Sequence, residues 1–162
     1  MTEKPETPAL FEVMRQNAAM IMQGTPHARA LGLSLTDLQK GKAWGAAAFR
    51  ADLVGDPASG VIAGGVITAF LDNLCGVAVM SALEEPTSVA TLDLRIDYMR
   101  AAKPGADVLA MAHCYRVTRS VAFVRAVAYD VDEADPVASA AGAFMLAANA
   151  GRKPGANKKP PK

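Results

Sequence analysis

One carboxylate, Asp72, stands in the middle of an otherwise apolar stretch that runs from Gly60 to Leu83. Burying an unpaired carboxylate is costly, so such a residue normally has a hydrogen-bonding partner or a chemical task. Carboxylates serve enzymes as general bases and as nucleophiles. Eight residues before Asp72 lies Gly64, followed by Gly65, and this pair has no Cβ to block the close approach of a ligand.

The same stretch predicts a helix from Gly65 to Ala82, about 27 Å long. No Pro interrupts it after the glycines, and Ala, Leu and Met are frequent. Because it is apolar on all sides, we expect it to be buried inside its own domain. A membrane span is disfavoured, because the helix is short for crossing a bilayer, carries Asp72 and lies between alternating strand patterns.

The start of this helix offers free backbone N–H groups and a partial positive charge. No Ser, Thr, Asp or Asn directly precedes Gly64 to cap them, so these donors are available to a ligand. Gly64 and Asp72 are separated by roughly 12 Å along the helix axis. A base must lie within about 3 Å of the proton it takes, so the two cannot reach one reacting centre within a chain. If they act together, they come from different subunits.

The elements around this helix follow from hydrophobic periodicity. Ala9 to Met22 has apolar residues at helical spacing, with Thr7 as a plausible N-cap and Pro8 at the first position, and predicts an amphipathic helix. Asp52 to Gly60 is typical of a loop. Six segments are predicted to be strands: Leu33 to Gln39, Lys42 to Phe49, Thr91 to Met99, Asp107 to Val117, Ser120 to Val131 and Val137 to Ala147.

Strict alternation in the third of these strands predicts one buried face. That face carries Leu92, Leu94, Ile96 and Tyr98. Hairpin connections make the sheet antiparallel, so we predict an α+β fold in which about six strands wrap around one long buried helix, with an extra N-terminal helix. One curved sheet leaves part of the long helix uncovered, and that part requires another surface, such as a second subunit.

Composition favours one globular domain, since 51% of the 162 residues are hydrophobic and 20% are charged. We expect this domain to span residues 9–148, between a disordered polar N-terminus at 1–8 and a disordered basic tail at 149–162. The net charge of +1 gives no electrostatic case for nucleic acid or an anionic membrane surface. The N-terminus has no apolar run typical of a secretory signal, so we expect a cytoplasmic protein.

The two cysteines, Cys75 and Cys114, lack the spacing of metal ligands. We interpret them as reduced core thiols, although the sequence leaves a disulfide open. No metal and no cofactor are expected.

Three segments in order resemble the hotdog-fold acyl-CoA thioesterases of the phenylacetic-acid-degradation (PaaI-like) type: GGVITAFLDNLCG, TLDLRIDYMRAAKPG and RSVAFVRAVAYD. The similarity covers about Leu31 to Leu146. The resemblance implies a hotdog fold and hydrolysis of acyl-CoA thioesters without a metal. It also implies dimers that pair their sheets edge to edge, often assembled further into tetramers as dimers of dimers.

The resemblance further implies three catalytic roles. Gly64, the first glycine of the pair, donates its backbone N–H to the thioester carbonyl. Asp72 is the nucleophile or the general base, and the resemblance leaves this choice open. Thr91, at the start of the following strand, helps to orient the attacking water.

Two positions depart from the family pattern. The family has a His before the glycine pair, where this chain has Ala63. An Asn that the family often uses in the preceding loop has no clear match, although Asp56 lies near its place. The phosphates of coenzyme A require cationic groups, and Arg100 and Arg119 lie near strand ends or turns. The substrate-binding candidates are therefore Gly65, Asp56, Asn73, Arg100 and Arg119.

Each candidate also has a structural interpretation. Asp72 would be a structural carboxylate if Thr68 or Asn73 capped it, and the glycine pair would then serve only close packing. At the level of function, Ala63 favours one alternative, a non-catalytic acyl-CoA-binding hotdog protein. A hydratase or dehydratase is a weaker alternative, because such sites pair a His with an acid and neither His27 nor His113 precedes the helix.

Overall fold

The computed structural model describes residues 10–147 of the chain. The predicted disordered segments, together with Thr7 and Pro8, lie outside these described residues. The helices are α1 (Leu10–Gln16), α2 (Ala18–Gln23), α3 (Pro26–Ala30) and α4 (Gly64–Ala82). The strands are β1 (Leu33–Gln39), β2 (Lys42–Ala47), β3 (Val54–Asp56), β4 (Val61–Ile62), β5 (Val89–Tyr98), β6 (Val108–Val117), β7 (Val121–Tyr129) and β8 (Ala138–Leu146).

Six of these strands form one sheet in the order β1-β2-β6-β7-β8-β5, with every neighbouring pair antiparallel. The predicted α+β architecture, an antiparallel sheet of six strands around one long helix, is therefore confirmed. After β2 the chain leaves this sheet, passes through β3 and β4 into α4, and returns to the far edge of the sheet as β5, so β1 and β5 are the two edge strands. The helix packs mainly on β2, β6 and β7.

The core lies between α4 and the inner face of the sheet. The sheet strands alternate between buried and partly exposed residues, as expected where one face covers a core. Many inward residues are alanines, which let the helix approach the strands closely. At Gly45 both the neighbouring strand and the helix come close: an added Cβ would lie 2.7 Å from the carbonyl oxygen of Ser34 and 3.0 Å from the Phe70 ring. Only glycine fits there.

Although α4 is apolar on all sides, only one side of it is buried by its own chain. Phe70, Leu71 and Leu74 are fully buried, whereas Gly65 and Thr68 are exposed. The helix is long and apolar enough to cross a membrane by length and composition alone, but more than half of it is buried within the fold. It is thus the core helix of a globular domain with one side uncovered.

The predicted N-terminal helix is divided into two. At Asn17 the side-chain Nδ2 donates to the carbonyl oxygen of Val13 at 2.8 Å, and α1 ends one residue earlier. Asn competes in this way with the backbone hydrogen bonds of a helix, which explains the interruption. His27, predicted in a connector, lies in the short helix α3 and is exposed.

The predicted alternation of β5 is only partly correct. A register shift between Thr91 and Asp93 interrupts the pairing with β8, so Leu92 is 56% exposed instead of buried. Leu94 and Ile96 pack against the core as predicted. Tyr98 is 50% exposed. The predicted loop Asp52 to Gly60 contains the strand β3, which forms a small separate sheet with β4.

Candidate active site

The structure brings two of the candidate catalytic residues, Asp72 and Thr91, together. The hydroxyl of Thr91 donates to Asp72 Oδ1 at 2.8 Å. Asp72 is half-buried on the uncovered side of α4, and Thr91 reaches it from the start of β5. The side chains of Thr68 and Asn73 do not cap Asp72, because each donates to a backbone carbonyl one turn earlier in the helix.

A cavity of about 200 Å³ opens onto this pair. Asn73 also lines it, so three of the candidate residues share one cavity. Within the described chain, Oδ2 of Asp72 accepts no hydrogen bond from protein, and it remains available to a water or a substrate. Most of the other walls are apolar: Ile21, Met22, Val77, Met80, Val89 and Phe144. A carboxylate held by a hydroxyl in such a cavity can act as a base or a nucleophile.

The start of α4 is uncapped, as the sequence indicated. Ala63 occupies the N-cap position, and no side chain there accepts a hydrogen bond from the helix. Gly64 is the first helical residue and is exposed. Its N–H has no protein acceptor within residues 10–147, so it is free to bind an oxyanion. Gly65 is also exposed, and an added Cβ there would meet no atom within 4 Å.

Tyr98 fixes the position of this helix start. Its hydroxyl donates to the carbonyl oxygen of Gly64 at 2.6 Å and lies 2.7 Å from the hydroxyl of Thr68. Sequence reasoning missed this role, because the alternation of β5 indicated a core residue. The only sequence signal was the position of Tyr98 at the end of a strand that also carries Thr91.

A second cavity, of about 310 Å³, contains Gly64 and Tyr98 but neither Asp72 nor Thr91. The two cavities have no lining residue in common. Gly64 and Asp72 therefore face separate cavities at different positions along α4. The structure of one chain does not bring them together, in agreement with the separation expected from their spacing.

Arg100 lines the Gly64 cavity, but its charge is already paired with carboxylates. It makes two hydrogen bonds, of 2.9 and 2.6 Å, to the fully buried carboxylate of Asp130. Its Nε also lies 3.1 Å from Asp135 Oδ2 without making a hydrogen bond. The Arg100 guanidinium holds the pKa of Asp130 well below its usual range, chiefly through these hydrogen bonds. The structure thus shows a bracing role for Arg100.

The other three substrate-binding candidates, Gly65, Asp56 and Arg119, line neither cavity. Asp56 ends β3, where its side chain accepts a hydrogen bond of 3.0 Å from the backbone N–H of Ala58. Arg119 lies in the turn between β6 and β7 and is exposed. Neither side chain lines the cavity of Asp72 or that of Gly64.

Both cysteines are free and buried. Burial raises the pKa of Cys75 to about 12, with a smaller contribution from the charge of the nearby Asp72. Burial also raises the pKa of Cys114. Neither thiol is therefore a competent nucleophile near neutral pH. Within residues 10–147, no three His, Cys, Asp or Glu side chains cluster as a metal site requires.

Comparison with known proteins identifies the family. Residues 59–137 match the thioesterase superfamily, and this range includes Gly64, Asp72 and Thr91. The chain is 31% identical over 140 residues to the medium/long-chain acyl-CoA thioesterase YigI of Salmonella typhimurium. The aligned region covers 78% of this chain and 89% of that relative.

Two solved structures extend this similarity. A Pseudomonas aeruginosa protein is 37% identical with a TM-score of 0.71, over 82% of this chain and 98% of that one. A variant of the phenylacetic acid degradation protein PaaI from Thermus thermophilus is 30% identical with a TM-score of 0.64. The match covers 75% of this chain and 98% of that one. The PaaI-like resemblance is confirmed, and the chain belongs to the thioesterase superfamily.

Proposed function

We propose that this protein hydrolyses acyl-CoA thioesters to a free acid and coenzyme A. Membership of the superfamily supports thioester hydrolysis in general, and similarity to a relative named as an acyl-CoA thioesterase supports the finer substrate class. The single observation that carries the proposal is the 2.8 Å hydrogen bond from Thr91 to Asp72 at the wall of a cavity.

In the proposed reaction, Asp72 acts on the thioester carbon either directly or through a water that it deprotonates. The bond from Thr91 fixes one carboxylate oxygen and leaves Oδ2 to face the reactants. The N–H of Gly64 from the neighbouring subunit stabilises the oxyanion that forms on the carbonyl oxygen. Collapse of the tetrahedral intermediate breaks the C–S bond, and the coenzyme A thiolate leaves and takes up a proton. On the water route the acid is then free, whereas on the direct route water must still hydrolyse the mixed anhydride on Asp72 to release the acid and restore the carboxylate.

Because Gly64 and Asp72 face separate cavities of one chain, the proposal includes a homo-oligomer. The uncovered side of α4 and the free edge of β5 are the surfaces that a second subunit would cover. We propose a dimer that completes the site, and a dimer of dimers as the larger assembly. Asn73 lines the Asp72 cavity and Gly65 adjoins Gly64, so both stay proposed substrate contacts.

The direct test is the replacement Asp72→Asn, which keeps an acceptor for Thr91 but removes the base. We expect kcat to fall by a factor of about 10² to 10⁴. The assay follows the release of the coenzyme A thiol from a panel of acyl-CoAs. Asp37→Asn is the matched control, because Asp37 is an exposed carboxylate on β1, outside the Asp72 and Gly64 cavities. An unchanged kcat in the folded Asp72→Asn variant would contradict the assignment.

A second candidate function rests on Ala63, which stands where the family has a His. With that group absent, the protein would bind acyl-CoA without turning it over. Calorimetry separates the two functions: tight acyl-CoA binding with no thiol release for any chain length would favour the binding protein.

A further inference from the structure

A second, apolar space adjoins the Asp72 cavity. Ile21 and Met80 line the Asp72 cavity and also line a further cavity of about 210 Å³, which we call the distal cavity. The residues that line only the distal cavity are Leu10, Met14, Leu83, Pro86 and Thr87. The two spaces therefore adjoin at the side chains of Ile21 and Met80.

The distal cavity offers no charge and no free polar group. Its lining residues carry no charge, and only Thr87 has a polar side chain. The Thr87 hydroxyl already donates to the carbonyl oxygen of Glu85 at 3.2 Å. The charged residues of α1, Glu12 and Arg15, are not among the lining residues and pair with each other at 3.3 Å. A ligand in this space would have to be apolar, because a buried polar group would find no partner.

The two cavities together match a fatty acyl thioester, which is polar at its carbonyl and apolar along its hydrocarbon chain. The end with Asp72, Thr91 and Asn73 suits a thioester carbonyl, and the end beyond Met80 suits hydrocarbon. Met14 and Met80 add flexible, unbranched side chains that adapt to chains of different length. Helices α1 and α2, which supply much of the distal wall, lie outside the residues that match the superfamily.

We propose that the distal cavity binds the terminal methylenes of an unbranched aliphatic acyl chain whose thioester carbonyl lies against Asp72. This inference rests on the proposed function and makes the chain a thioesterase for medium or longer aliphatic acyl-CoAs. Each methylene that becomes buried in the cavity raises kcat/KM by about fourfold. The gain ends when the cavity is filled.

The test compares Ile21→Trp with Met20→Trp. Both replacements put the same large side chain on α2, but Ile21 lines both cavities, whereas Met20 is 70% exposed and lines neither. The measured quantity is the ratio of kcat/KM for dodecanoyl-CoA to kcat/KM for butanoyl-CoA. This ratio does not respond to a general loss of catalysis. We expect Ile21→Trp to lower it by more than about tenfold, because the indole closes the way to the distal cavity. Met20→Trp keeps the wild-type ratio.

Met80→Ala is a second variant, and we expect it to change the chain-length preference in the opposite direction. Removing most of the Met80 side chain, which lines both cavities, opens space between them, so the optimal acyl-chain length increases. Hydrolysis with a flat chain-length profile, or a profile that neither Ile21→Trp nor Met80→Ala alters, overturns this inference alone. Absence of hydrolysis with every acyl-CoA overturns the proposed function, and this inference with it.

Discussion

At the scale of single residues, both halves of the candidate site are fixed by hydroxyls from one strand. Thr91 near the start of β5 bonds to Asp72, and Tyr98 at its end bonds to the carbonyl of Gly64. The strand thus orients the proposed base and the proposed oxyanion donor, although these lie in separate cavities. A modest shift of β5 relative to α4 would displace both groups.

The role of the Gly64 N–H can be isolated by two substitutions. Gly64→Pro removes the donor, and Pro is well tolerated at the first position of a helix. Ala63 has φ −63° and ψ 138°, which suits a residue that precedes Pro. Gly64→Ala keeps the N–H, and its Cβ would make only ordinary contacts of 3.6 Å with the Tyr98 ring. We expect the Pro variant to lose about a hundredfold to a thousandfold in kcat, and the Ala variant to keep most of it.

Steady-state kinetics of acyl-CoA hydrolysis, with helix content checked by circular dichroism, measures this difference. Equal activity of the Pro and Ala variants would show that the Gly64 N–H does not bind the oxyanion. Equal loss in both would instead indicate that the glycine serves close packing.

At the scale of elements, a partly buried ion pair holds the segment after β5 in place. Arg100 follows β5, and Asp130 lies just after β7 with its side chain fully buried. Asp130 also accepts a 2.8 Å hydrogen bond from the backbone N–H of Lys103. The pair therefore ties the chain beside the Gly64 cavity to the sheet.

This pair predicts a dependence of stability on pH. The pKa of Asp130 is lowered in the folded protein, so its contribution is present above the ordinary carboxyl pKa of about 3.9 and is lost as the pH falls below it. Asp130→Asn should lower the free energy of unfolding at neutral pH by about 2 kcal/mol. The difference from the wild type should shrink below about pH 4. Urea unfolding at several pH values measures both effects.

Asp97→Asn is the control for this experiment. Asp97 pairs with Arg95 at 2.9 Å, but both side chains are more than half exposed, and such pairs contribute little. If Asp97→Asn destabilises the protein as much as Asp130→Asn, burial of the Arg100 pair is not the cause.

The order and type of the main elements followed from the sequence, because period-2 and helical patterns are local. The features that the sequence missed depend on side-chain hydrogen bonds, strand register and packing between elements. The break at Asn17 and the register shift beside Leu92 arise from local hydrogen bonds and strand pairing that hydrophobic periodicity does not encode. The distal cavity depends on where α1 and α2 pack against α4. At the site, the resemblance named Asp72 and Thr91 as candidates, but their hydrogen bond and the contact of Tyr98 with Gly64 were seen only in the structure.

At the scale of the whole molecule, the surface around the site has the character of an interface. Leu92, Tyr98 and Met99 are each at least half exposed along or just after the edge strand β5. An unprotected edge strand with apolar side chains tends to pair with another chain. The uncovered side of α4, which carries Asp72 and Gly64, lies next to this strand, since Thr91 contacts Asp72 and Tyr98 contacts Gly64. A symmetric pairing of two copies would cover both surfaces at once.

Mixing two inactive variants tests whether the site is shared between subunits. Gly64→Pro and Asp72→Asn should each be nearly inactive alone, but a mixed dimer contains one site with both native groups. Random exchange makes half of the dimers mixed, and each has one intact site of two, so the mixture should recover about a quarter of wild-type activity. A mixture of Asp72→Asn with Asp72→Ala is the control and stays inactive, because neither chain supplies a carboxylate. Native mass spectrometry verifies that mixed dimers form; mixed dimers without recovered activity would contradict the shared site. Recovery, in contrast, has no explanation within a single subunit, because no chain in the mixture carries both groups.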